Sequence, residues 1–235
     1  MKFSSLWLNL TLDRNRVYSK RFVYERVLAE IGNAIRKSAN KVERIDELPT
    51  ELIDQIIGDE TEIVEYLLGT AFVLCQAYIT DVVSTVMSLH KFADSQDISL
   101  KTTTNKKQDI LRFRHEGGSF SPTEVIDGFA NYFKHRDEWE FNWQKLPSKQ
   151  QKKTNGQKLP SKPNEQQKKT VKIIQSVGAE SGCTSNLRQG SIALGNSDFV
   201  ETGIFLDKLE QWHLDLIDAY HTELKVFIEE RSDAH

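Results

Sequence analysis

The residues best suited to chemistry lie together in "FANYFKHRDEWEFNW", positions 129–143. Asn131 and His135 stand four apart among six aromatic residues, with Lys134 between them and Arg136, Asp137 and Glu138 following. On a helix, Asp127, Asn131, His135 and Glu138 share one face, spaced by four, four and three. Histidine titrates nearest neutral pH and can give or take a proton, while Asn131 could orient it or a substrate. Arg136 and Lys134 could supply positive charge to a phosphate. Val125, Phe129, Tyr132 and Phe133 fall on the other side and would anchor the helix. The competing structural account is simple: Asn131 and His135 bond to a neighbouring helix, and "HRDEWE" is a solvated, salt-bridged helix end.

That helix is announced by its own first turn. In "SPTEVIDGFANYF", Ser121 is placed as N-cap, Pro122 as first helical residue and Glu124 as the partner completing a capping box. The pattern predicts a helix from Pro122 to about Trp139. Upstream, apolar residues recur at helical spacing over about 17–38. "LPTELIDQIIG" reads as a short helix, capped at Pro49–Thr50 and stopped at Gly58. The longest element is expected from Glu60 to about Ala93. One stripe there runs through Ile63, Leu67, Leu74, Tyr78, Val82 and Met87, and Phe72, Cys75, Ile79, Val83 and Val86 widen it. So broad an apolar surface belongs to a central bundle helix. "TVKIIQSVG" leads into a loop rich in glycine and serine, "GAESGCTSNLRQG", and a last amphipathic helix is expected over about 198–230.

The expectation is an all-α fold, a single bundle of about five to seven helices. Its first part covers 1–143, an insert 144–170 and its C-terminal part 171–235. The insert repeats "QKLPSK" and "QQKKT", carries eight lysines against Glu165 alone, and is poor in apolar residues. It is expected to be disordered, since it cannot offset the entropy of ordering. The net charge of -3 therefore divides into +7 in the insert and -10 elsewhere. A body that acidic is a poor general surface for nucleic acid, so any RNA contact falls to the insert or to a local pocket.

"ANYFKH" resembles the helical signature of the HEPN superfamily, in which Arg, usually Asn, three variable residues and His follow in order. The helix "LLGTAFVLCQAYITDVVSTV" is similar to that family's scaffold. "NYFKHRDEW" and "GAESGCTSNLRQGSIALGN" also resemble segments of uncharacterised bacterial proteins. The resemblance covers about half the chain and implies a bundle that works as a dimer. In active members it implies metal-independent RNA cleavage, with His135 in proton transfer, Asn131 beside it and an arginine on the scissile phosphate. Here Ala130 occupies the Arg position. Arg136, Arg112 and Arg114 are the candidates to replace that charge, with Lys134, Arg112, Arg114 and Glu138 as substrate-binding residues. Two expectations follow. The first is a HEPN-like binding or interaction protein, catalytically degenerate and serving bacterial defence or stress. The second is a ribonuclease using His135.

Other constellations carry less. Glu210 and His213, or Asp218 and His221, have the spacing of a one-helix metal chelate, but the matching pair that a di-iron bundle needs is missing. With Trp212, Leu216 and Tyr220 on the apolar side, His213 is expected at the surface or boundary. "RFRHEGGS" offers a small anion site at Arg112, Arg114 and His115. No phosphate loop, nucleotide-fold fingerprint, nucleophile elbow or zinc spacing occurs, so no cofactor or metal is expected. Cys75 in an apolar run and Cys183 in a polar loop make no disulfide framework, which fits a reducing cytoplasm. No uninterrupted apolar run reaches the ~20 residues of a bilayer span, and no membrane is expected. The expected partners are a second copy of the chain, RNA or a nucleotide, and a protein.

Overall fold

A computed structural model describes residues 2–43, 48–117, 119–136, 164–180 and 183–232, with side chains in the first helix from Ser19 onward. The described residues form seven helices and no strand. They are α1 (Lys2–Val42), α2 (Thr50–Asp94), α3 (Lys107–Leu111), α4 (Pro122–His135), α5 (Glu165–Ser176), α6 (Asn186–Ala193) and α7 (Gly203–Ser232). The fold is all-α, and a single apolar core joins these helices.

α2 is the axis of the bundle, packed by α1, α4, α6 and α7. Its residues Leu68, Ala71, Phe72, Cys75 and Ile79 are sealed from solvent, whereas Ile63 and Met87 lie exposed. The buried stripe takes in all five residues expected to widen it, together with Tyr78 and Val82 of the first. Phe72 stacks on Phe129 of α4 on one side, centroids 5.3 Å apart, and on Phe205 of α7 on the other, at 4.9 Å. An 18-residue window of α2 has mean hydropathy 1.5, apolar enough to cross a membrane by length and composition. Half of that window is buried inside the bundle, as a helix enclosed by neighbours requires.

Several boundaries differ from expectation. The short helix before Gly58 and the long one after Glu60 are one 45-residue helix. Pro49 is its N-cap and Thr50 its first residue, with no side-chain cap bond. Gly58 faces open space. A glycine costs a helix interior about 1 kcal/mol, too little to stop this one. Residues 164–170 of the insert are not disordered: Asn164 and Gln167 form a reciprocal capping box that starts α5, and Thr170 is buried. The rest of the insert lies outside the described residues, as do Glu138 and Trp139. The end of the expected loop, 186–190, belongs to α6, where Gly190 meets Phe129 so closely that a Cβ would sit 2.7 Å from its ring. Gly190 serves packing, whereas Gly178, with φ of 89°, serves the turn after α5.

Candidate functional site

α4 carries the opening motif, and its start is fixed from three directions. Ser121 Oγ accepts from the Glu124 amide at 3.1 Å, and the Ser121 amide donates back to Glu124 Oε2 at 3.1 Å. The same hydroxyl donates to the Leu111 carbonyl at 2.8 Å, tying α4 to α3. Glu124 has no exposed surface; it also receives Arg112 Nε at 2.9 Å and the Gln108 amide. Further along, Gly128 lets α5 approach, since a Cβ there would lie 2.7 Å from Ile173 Cγ2. Ile126, Phe129 and Ala130 are fully buried.

The polar row on the next face is knitted to α2 through one residue, Gln76. Its Nε2 donates to Asp127 Oδ1 at 2.8 Å and faces Asn131 Oδ1 at 3.0 Å, and its Oε1 accepts from Lys134 Nζ at 2.5 Å. Asn131 Nδ2 leans on Asp127 Oδ2 at 3.5 Å. Asp127, 5% exposed, takes Lys107 Nζ of α3 at 2.8 Å as its charge partner. A buried carboxylate needs that company, because an unpaired one would be costly. Lys169 of α5 stands near both acids: burial lowers its pKa, and Glu124 and Asp127 pull it back up. Four cations, Lys107, Arg112, Lys134 and Lys169, thus surround two carboxylates in an otherwise acidic body. Beside them an open groove of about 470 Å3 is lined by Gln76, Ala77, Thr80, Ser84 and Lys134, among others.

The sequence candidates divide accordingly. Asn131 and Lys134 are brought together by Gln76. His135 is exposed at the last residue of α4. Arg136, the C-cap, lays its guanidinium over the rings of Tyr66 (4.7 Å) and Phe133 (5.0 Å). Arg112 and Arg114 stand at the other end of the helix. Arg112 holds Glu124, eleven residues or about 16 Å before His135 at the helical rise. Arg114 lies 3.7 Å from Asp215 of α7. Glu138 lies outside the described residues. Ala130, where the HEPN signature has arginine, is a core position with no exposed surface.

Gln76, Lys107 and Lys169 were not among the residues singled out from sequence. Gln76 did leave a trace, as a polar residue inside "FVLCQAYI". His213 corrects the surface expectation: it is 2% exposed, with Nδ1 2.9 Å from Tyr78 Oη. Its supposed metal partner Glu210 faces Arg21 instead, at 2.5 Å. Among the described residues, no group of three or more His, Cys, Asp or Glu is arranged to hold a metal ion. Comparisons with protein-family models, curated proteins and solved structures each return no match for this chain.

Proposed function

We propose that this chain is a binding protein on a HEPN-like helical scaffold, and that it engages RNA through the cationic α3–α4–α5 surface without cleaving it. The observation that carries this reading is the excess of cations, Lys107, Arg112, Lys134 and Lys169, around the buried Glu124 and Asp127. Backbone binding rests on such cations, and the lysine-rich sequence between α4 and α5 adds to them. Binding without catalysis is favoured by two features. Asn131 is engaged by Gln76 and Asp127, and Ala130 leaves the signature's arginine position inside the core. An electrostatic clamp on the scissile phosphate is often a large part of such catalysis.

The second reading, a metal-independent ribonuclease, is supported by exposed His135 next to exposed Lys134. The two are separated by incubating the protein with labelled single-stranded RNAs in excess chelator, following anisotropy and cleavage together. Binding that weakens with salt, falls in a Lys134→Gln/Lys169→Gln variant and leaves the RNA intact supports the first reading. Cleavage that survives chelation and disappears in a folded His135→Ala variant overturns it. A homodimer remains part of the proposal, supported by Phe22, Val23 and Val27 lying exposed along α1; light scattering after gel filtration gives the mass directly.

A further inference from the structure

A larger depression, about 800 Å3, opens where the end of α2, the loop 100–105 and the turn after α3 meet, away from the α4 row. His90 lines it although only 6% exposed. The imidazole is held by a chain of hydroxyls: Nε2 lies 2.9 Å from Tyr220 Oη, which lies 2.8 Å from Thr103 Oγ1. Thr103 spends its proton on the Thr104 carbonyl at 2.9 Å. With that direction Tyr220 donates to Thr103 and Nε2–H to Tyr220, the tautomer that leaves Nδ1 as an acceptor; Thr103 Oγ1 itself lies 3.4 Å from Nε2. Burial pushes the Tyr220 phenol up to about 12, which keeps its proton in place, and lowers the pKa of His90 against the pull of Asp94 and Glu223, which favours the neutral ring. The loop is pinned as well: Glu223 accepts from the Thr102 amide at 2.9 Å and its hydroxyl at 2.6 Å.

The rim is built with strain. Arg114 has φ of 54°, a left-handed conformation that a long side chain rarely adopts, and its guanidinium sits 5.4 Å from the Phe113 ring centroid. Residues held this way cluster at ligand sites. The charges around the cleft are divided by origin. α2 contributes acceptors, His90 and Asp94, four residues apart on one helix face. The loop and the turn contribute donors, Lys101 and Arg114. Asp109 completes the lining and is already bonded by the Thr104 hydroxyl. Among the lining residues two cations face two carboxylates, and just beyond them Asp215 lies 3.7 Å from Arg114 while Glu223 accepts from the Lys101 and Thr102 amides, which tips the surroundings negative. A polyphosphate would meet more repulsion than attraction here, whereas a ligand carrying both signs finds a partner for each.

We propose that this cleft binds a small zwitterion of the amino-acid class, with its carboxylate on Arg114 and Lys101 and its ammonium on Asp94 and His90. The site shares no residue with the α4 surface and stands or falls independently of it. The test is a titration of the full chain, with its histidine side chains labelled with 15N, against the common L-amino acids, first pooled and then singly. Sodium acetate, methylammonium and inorganic phosphate serve as separate controls. The expected result is a saturable shift of the His90 nitrogens with at least one amino acid and with none of the controls. Arg114→Asn tolerates the left-handed backbone and removes the charge, and Asp94→Asn neutralises the other sign. Each should weaken binding by about tenfold or more, the worth of one charge-assisted hydrogen bond, with thermal unfolding unchanged. No shift with any amino acid in the folded wild type would overturn the proposal. So would an equal response to phosphate, which would mark a plain anion site, or binding indifferent to both substitutions.

Discussion

Replacing Ser121 with alanine tests whether α4 is held as described. The hydroxyl is buried, at 3% residue exposure, and makes two bonds, one to the Glu124 amide and one to the Leu111 carbonyl. Loss of an N-cap costs about 1 kcal/mol. Loss of the second bond strands a carbonyl on a residue 1% exposed, at roughly 1–3 kcal/mol, since an unsatisfied buried acceptor forfeits its full solvation. Together the change should remove about 2–4 kcal/mol, a large part of the 5–15 kcal/mol typical of a folded domain. At roughly 2–3 kcal/mol per molar urea, the midpoint should fall by about 1 M. Ser121→Thr keeps the oxygen in place and should lose less than about 1 kcal/mol. Equal midpoints for the alanine variant, the threonine variant and the wild type would refute the reasoning, because the two bonds would then not be holding the helix.

Gly58→Ala should stabilise the chain by about 0.5–1 kcal/mol, because the position is helical and a Cβ there meets nothing within 4 Å; urea unfolding reads the gain. Burial holds the pKa of His90 below its ordinary 6.5, against the opposing pull of Asp94 and Glu223. Below pH 6.5 the unfolded chain takes up a proton that the folded chain resists, so the stability from this site is complete above 6.5 and declines as pH falls toward the folded value. His90→Gln should flatten that part of the curve of urea midpoint against pH. Cys75 is sealed in the core with its thiol pushed up to about 12, whereas Cys183 is half-buried. A chromogenic disulfide reagent should therefore react quickly with one thiol per folded chain and with two after denaturation.

Local signals were legible where one turn of chain settles the outcome. "SPTE" carries its capping box in adjacent residues, and the helix starts where that box requires. Gly58 misled for the opposite reason: a local stop signal worth only about 1 kcal/mol is weak, and the helix runs straight through it. The α6 glycine looked like loop composition because the ring it accommodates, Phe129, lies sixty-one residues earlier in sequence. At the candidate site, the helical spacing of Asp127 and Asn131 was readable, and so was the charge of Lys134, but their engagement with Gln76 was not. That contact joins residues 51 to 58 positions apart. His213 shows the same limit, since periodicity assigns it to a helix edge and its buried contact with Tyr78 spans 135 residues.

The Tyr78–His213 pair also has a consequence for synthesis. The amino-terminal partner leaves the ribosome 135 residues before its mate, roughly 7–27 s earlier at 5–20 residues per second. The same interval separates the most apolar part of α2 from α7, which covers one side of it. Until α7 emerges, one side of α2 lacks its cover, and this recurs on every round of translation. Chaperone demand for this protein is set by the order of its elements along the message, and moving α7 ahead of α2 by circular permutation would shorten the exposure without changing a single native contact in the finished bundle.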